Sequence, residues 1–344
     1  HWYATLMQNM EIIALCGMQD TVKEDVKDAI DSTRNAGLHI IMATGDHEKT
    51  ARSIAQQVGI YRPQDMVMDG KALSVIDDKS LNAILDQITV FARVNPLAKM
   101  RIVQLYQQQN AIVAMTGDGI NDAPSLVAAD IGIAMGVNGT EVAKEAADII
   151  LLDDSFDSIV EGITQGRHIL YTLRRVILYF FATNLGEIFI VLFALMTHLP
   201  LPLTAVQILW LNLVTDGFLD IALSMEPQEE GLLSAQILKK RVVLIDRALL
   251  LKTVFIALPM GAVSLAVFWW YYTVKMVSIT YARTMVLITM AMFQWFNAWN
   301  CRSEKRSIFH LGFMSNRWLI AATLLVLGLQ ISVLYVPIMQ YIFK

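Results

Sequence analysis

The sequence is poor in cysteine. Cys16 and Cys301 are the only two in 344 residues. They lie far apart and form no CxxC pair, which excludes a disulfide framework and leaves both as expected free thiols. Charged residues are scarce too, at 17%, with a formal net charge of −4. No basic face or nucleic-acid motif is present, so nucleic acid is excluded as a partner. The first residues, His1-Trp2-Tyr3, lack the basic-then-apolar pattern of a signal peptide, and none is expected.

What the chain has in excess is apolar sequence, at 55%, unevenly spread. Residues 1–157 read as a soluble α/β protein. Five later stretches, 176–196, 204–224, 249–272, 280–299 and 317–338, reach the ~20 residues a membrane helix needs. Residues 158–175 are expected to form a helical stalk continuous with the first of them. The basic residues Lys239, Lys240, Arg241 and Arg247 fall in the second loop, and Arg302, Lys305 and Arg306 in the fourth. That bias places these loops, and residues 1–175, in the cytosol, with Lys344 on the opposite face.

Two membrane stretches carry polar groups where an anchor would not. Asn184 and Glu187 lie one turn apart near mid-span, and Asn212, Thr215, Asp216 and Asp220 recur at three-and-four spacing. A charge at a helix centre costs ~3 kcal/mol, so three unpaired carboxylates would cost on the order of 9 kcal/mol. No lysine or arginine sits mid-helix to offset them. Protonation or a bound cation must do so, and carboxylate, amide and hydroxyl oxygens suit a hard cation such as Ca²⁺. The same groups could instead fasten the bundle by interhelical hydrogen bonds.

The soluble part alternates strand and helix. Thr21–Ala36 reads as a helix with Val22, Val26 and Ile30 on one face, stopped by Gly37. Strands are expected at 38–43, 111–115, 131–135 and 149–152, with a helix over 47–58. This implies a doubly wound, mostly parallel sheet with its site at the strand C-termini. Thr44-Gly45-Asp46 and Thr116-Gly-Asp118-Gly-Ile-Asn121-Asp122 both fall at that edge. Gly117 and Gly119 allow close backbone approach to an anion. Asp118 and Asp122 would repel phosphate unless Mg²⁺ intervened, and Lys99 offers a positive point charge for a phosphoryl group.

At these residues the chain resembles the P-type ATPases, whose phosphorylation domain is haloacid-dehalogenase-like and Rossmannoid. The resemblance runs from about Asp20 to the end, most specifically at Met115-Thr-Gly-Asp-Gly-Ile-Asn-Asp-Ala-Pro124. Asn184-Leu-Gly-Glu187 and Leu209-Trp-Leu-Asn-Leu-Val-Thr-Asp-Gly217 look like the type II calcium pumps of the sarcoplasmic-reticulum kind. The resemblance implies a cytosolic phosphorylation domain followed by an all-α transmembrane bundle. It makes Asp118 the Mg²⁺ ligand, with Asn121 and Asp122 ordering the site. Thr44, Gly45 and Lys99 bind phosphoryl, with Asp46 beside them. Asn184, Glu187, Asn212, Thr215 and Asp216 become ion ligands.

Departures from the family pattern are equally legible. The phosphorylated Asp-Lys-Thr-Gly-Thr is absent, and Asp78-Lys79-Ser80 does not match it. The ATP-binding domain, the actuator motif and the Pro-broken ion helix are absent as well. The chain is therefore expected to be part of a longer pump, with the rest of that polypeptide and the lipid bilayer as its partners. Gln294 stands where calcium pumps place a glutamate, which bears on a second calcium site. Asp220 has no counterpart, and is either a rim carboxylate or a relay at the mouth of the ion path. Cation transport driven by ATP, Ca²⁺ foremost, is the favoured function. A pump for Na⁺, K⁺, H⁺ or Mn²⁺, a membrane-anchored phosphohydrolase and a non-catalytic regulatory half-pump remain as alternatives.

Overall fold

The computed structural model describes residues 13, 14, 22, 25–229, 243–304, 306 and 308–343. Cys16, Lys239, Lys240, Arg241 and Lys305, and the expected start of the first helix at Thr21, lie outside them. The chain forms two compact units that divide after Gly162.

In the first unit, α1 (Asp25–Asn35) packs Val26 and Ile30 against Ala51, Ala55, Val58 and Val90, and Gly37 at φ +81° turns the chain out of it. β1 (Met42–Ala43) leads to α2 (Glu48–Gln57), whose His47 cap accepts from the Lys49 N–H. Next come β2 (Met66–Asp69), α3 (Gly70–Val75), α4 (Asp78–Ile84) and β3 (Ile88–Ala92). Every residue of β3 is buried, as expected of a central parallel strand. Asn95 caps α5 (Pro96–Gln108), with Pro96 in its first turn. β4 (Ala114–Gly117), a tight turn over Ile120–Asp122, α6 (Ala123–Ala128), β5 (Ile131–Met135), α7 (Glu141–Ala146) and β6 (Ile149–Leu151) complete the α/β run. Asp78 and Ser80 belong to the first turn of α4, where Asp78 pairs with Arg101 at 2.6 Å.

All strand pairs are parallel. They form two three-stranded sheets, β1-β3-β2 and β4-β5-β6, in place of one continuous sheet. β1 and β4 are therefore edges among the described residues. The expected strand over 38–43 is two residues long, Met42–Ala43.

In the second unit, α8 (Phe156–Met196) is a single 41-residue helix that begins in the first unit. It is followed by α9 (Ala205–Ser224), α10 (Arg247–Val274), α11 (Ile279–Asn300), a short α12 (Ile308–Leu311), α13 (Arg317–Tyr335) and α14 (Pro337–Ile342). Of the five expected spans, α8, α9, α10 and α13 are long and apolar enough to cross a membrane. α11, at 22 residues, is long enough but carries Thr280, Thr284, Thr289, Gln294 and Asn297. It buries Val286, Met290, Gln294 and Asn297, so protein contacts set much of its composition. α13 stops at Tyr335, three residues short of the expected 338, because Pro337 disfavours helix at Val336. α9 is not uniformly α-helical. Leu211–Asp216 is π-helical, a geometry common at functional sites.

Candidate functional site

The first candidate site lies at the strand C-termini of the α/β unit. Thr44 follows β1 and is held by its neighbours: its N–H donates to Phe91 O at 2.9 Å and its carbonyl accepts from Val94 N at 3.0 Å. The Thr44 hydroxyl accepts from the Asp46 N–H at 3.1 Å, which leaves its own proton free to donate. Gly45 is exposed, and an added Cβ there would meet nothing within 4 Å. One turn into α5, the Lys99 ammonium reaches Asp122 at 2.6 Å. The other Asp122 oxygen accepts from the Asp118 and Gly119 N–H groups, both at 3.3 Å. A continuous set of bonds thus links Thr44, through Val94 and α5, to the turn that carries Asp118.

Gly117 is dictated by that turn, since a Cβ there would lie 2.4 Å from Asp122 Cβ. Asp122 is buried, whereas Asp118 and Asn121 are exposed. No hydrogen bond or ion pair engages the Asp118 carboxylate among the described residues, so it is the free acid of the pair. The roles expected from sequence therefore separate. Lys99 is spent largely on Asp122, and Asp122 orders the turn.

The second candidate site is in the helical unit. Glu187 is 5% exposed and accepts from Asn212 Nδ2 at 3.0 Å and from Gln294 Nε2 at 3.2 Å. Asp216 is 1% exposed and accepts from Tyr179 Oη at 2.7 Å and Thr183 Oγ1 at 2.9 Å. The two carboxylates lie within charge–charge range of each other. No lysine or arginine pairs with either among the described residues. Asn212 Oδ1, Thr215 Oγ1 and Gln294 Oε1 are buried without a hydrogen-bond partner.

Those orphaned oxygens fit a hard cation, because buried acceptors are otherwise costly to leave unmatched. No three Asp, Glu, His or Cys side chains form a metal cage among the described residues, so a cation held here would need amide and hydroxyl oxygens as well. Asn184 stands apart: it is half-exposed and its amide donates to Phe180 O at 2.8 Å. Asp220 is turned inward, with a buried unpartnered Oδ1 within charge–charge range of Asp216, Tyr179 and Cys301. Tyr179 and Thr183 were not anticipated as site residues. Their signal was present in the sequence, since 179, 183 and 187 recur at four-residue spacing on one face of α8.

Known proteins share sequence with most of this chain. Residues 2–130 match the haloacid dehalogenase-like hydrolase family, and residues 200–344 match the cation transporting ATPase C-terminus. The chain is 38% identical over 336 residues to a calcium-transporting ATPase of Bacillus subtilis, covering 98% of this chain and 38% of that protein. It is 34% identical to calcium-transporting ATPase type 2C member 2 of Rattus norvegicus, covering 97% of this chain and 36% of that protein. Against type 2C member 1 of Homo sapiens the identity is 33%, with 97% and 36% covered. The chain thus spans less than two-fifths of the length of these relatives. With its apolar helices it is a multi-pass integral membrane protein with a cytosolic α/β domain. The matched regions, in this order, are like those of the C-terminal half of a type II P-type ATPase.

Proposed function

We propose that this chain is the C-terminal part of an ATP-driven cation pump that works through an aspartyl-phosphate, with Ca²⁺ as the transported ion. On this reading residues 1–157 form the phosphorylation domain, 158–175 the stalk and 176–344 the membrane domain. The observation that carries it is the pair of buried acids, Glu187 and Asp216, with no cationic side chain paired to either among the described residues and three orphaned oxygens on α9 and α11. A bundle built only for anchoring gains nothing from such a set. The names of the relatives support Ca²⁺ as the ion. Glu187, Asn212, Thr215, Asp216 and Gln294 are the proposed donors. Asn184 joins them only by leaving Phe180 O.

The phosphoryl chemistry needs a nucleophile from elsewhere in the longer polypeptide. Among the described residues β1 and β4 are edge strands, and on this reading a parallel strand added between them would end beside Thr44 and Asp118. Such a strand would deliver its aspartate at the shared C-terminal edge. Mg²⁺, when bound at Asp118, supplies neutralising charge for the phosphoryl oxygens. The Thr44 hydroxyl and the Gly45 N–H donate to those oxygens, and Lys99 holds Asp122 so that the Asp118 turn keeps its shape. ATP binds in the nucleotide domain of the remaining polypeptide.

The test is phosphorylation of the full-length protein by ATP across a Ca²⁺ titration. Asp216→Asn is expected to lose Ca²⁺-dependent phosphorylation, and Thr215→Ala to weaken it less, because a hydroxyl contributes an oxygen without a charge. Ca²⁺ stimulation that survives unchanged in Asp216→Asn would refute the reading. Stimulation by a different cation alone would reassign the ion.

A further inference from the structure

A residue outside the motifs, Asp154, accepts four hydrogen bonds from the loop behind the phosphoryl site. It sits between β6 and α8, 8% exposed, at φ +50°, a left-handed conformation that aspartate adopts only occasionally. One carboxylate oxygen accepts from the N–H groups of Gly136 at 2.7 Å and Val137 at 3.0 Å. The other accepts from the N–H and the side-chain amide of Asn138, at 2.8 and 2.9 Å. Three successive amides form a concave nest, a geometry that suits an anion. Here the anion is the chain's own carboxylate.

The loop so gripped leads directly to the site. Two residues beyond Asn138, the Thr140 N–H donates to the carbonyl of Asp118 at 2.8 Å. Little slack separates these points. A Cβ on Gly136 would lie 2.6 Å from Leu151 O, and one on Gly139 would lie 1.9 Å from Met135 O. On the other side of Asp154, Asp153 accepts from Ser155 N at 3.1 Å and Ser158 Oγ at 2.7 Å, fixing the first turn of α8. Adjacent carboxylates thus fasten two things, the start of α8 and the loop behind Asp118.

We propose that Asp154 is a positioning residue for the phosphoryl site, setting the Mg²⁺-binding carboxylate of Asp118 through the Gly136–Thr140 loop. The proposal rests on Asp118 as the Mg²⁺ ligand. It assigns Asp154 no contact with metal or phosphate. Residues that orient a metal ligand from behind alter metal affinity by about 10–100-fold when lost.

The experiment is phosphoenzyme formation by the full-length pump as a function of free Mg²⁺, at saturating transported cation. Asp154→Ala is expected to raise the half-maximal Mg²⁺ concentration about tenfold. The half-saturating Ca²⁺ concentration should stay within about twofold. Asp154→Asn keeps one acceptor oxygen and should fall between Ala and the unmodified protein. Asn138→Ala, which removes one exposed donor, should shift Mg²⁺ dependence least and keeps the test open if Asp154→Ala does not fold. A merely structural role would lower the amount of active protein without moving the Mg²⁺ midpoint. Unchanged midpoints in Asp154→Asn and Asn138→Ala would overturn the proposal. Asp118→Asn serves as the control: if it phosphorylates normally, the site assignment itself fails, and if only the Asp154 variants are silent, this inference alone fails.

Discussion

Lys99 Nζ and Asp122 Oδ1 meet at 2.6 Å, with side chains 14% and 10% exposed. The pair ties the first turn of α5, which follows β3, to the turn that follows β4. It therefore bridges the two three-stranded sheets at their C-terminal edge. Removing one member of a well-buried pair costs roughly 3–5 kcal/mol, and this partly exposed pair should sit at the low end. Lys99→Met is expected to lower the thermal midpoint and to reduce phosphoenzyme formation at least about 100-fold. Lys99→Arg should restore most of the stability but not the rate, because its planar fork aims differently. Phosphorylation at the unmodified level in Lys99→Met would confine Lys99 to a structural role.

Much of this was legible in the sequence, and the rest was hidden for identifiable reasons. The alternation of apolar runs with Thr-Gly-Asp turns was enough for an α/β domain, and the long apolar runs for the spans. β2 (Met66–Asp69) and β3 (Ile88–Ala92) were not expected from the sequence, and neither is followed by a Thr-Gly-Asp turn. The pairing of Lys99 with Asp122 joins residues 23 apart in sequence, and only the fold brings them together. In α9, three-and-four spacing assumes 3.6 residues per turn. The π-helical stretch from Leu211 to Asp216 alters that register, which spacing alone does not disclose.

Gln294 gives the ion site a testable asymmetry. Its side-chain amide donates to Glu187, and it is fully buried. Gln294→Glu would replace that donor by a second carboxylate facing the first, a change on the order of 3 kcal/mol when uncompensated. The full-length variant should melt several degrees lower in chelator than in millimolar Ca²⁺, a wider gap than the unmodified protein shows. Equal gaps in the two proteins would mean that Gln294 lies outside the ion's reach.

At one end of the helical unit, Arg302 is fully buried and donates to Glu226 through Nε at 3.0–3.1 Å and Nη2 at 2.8 Å. Asn316 Nδ2 adds a further donor to Glu226 at 2.8 Å. The guanidinium also stacks 5.5 Å from the Trp299 ring centre. Arg302→Met leaves Glu226 buried without its charge partner and should cost about 3–5 kcal/mol. The double variant Arg302→Met with Glu226→Met should recover much of that loss. Melting curves in detergent decide it: a double variant no better than the single would mean that the arginine acts mainly by packing.

Asp154 also makes a prediction in pH. Hydrogen bonds from Val137, Asn138 and Gly136 hold its carboxyl below the ordinary value of 3.8 in the folded protein. Asp153 shifts the same way, chiefly through Ser158, as does Asp77 through Ser80. Above the ordinary value both folded and unfolded chains are ionised, and the contribution to stability is fully present. As pH falls below it, the unfolded chain takes up the proton first, and the contribution disappears towards the lower folded value. Asp154→Asn behaves like a permanently protonated aspartate. The difference in thermal midpoint between Asp154→Asn and the unmodified full-length protein should be a few degrees and constant from about pH 7 to about pH 5. It should shrink as pH falls below the ordinary carboxylate value and disappear towards the lower folded one. A difference that persists undiminished at the acid end would mean that shape, and not charge, is what Asp154 contributes to the loop.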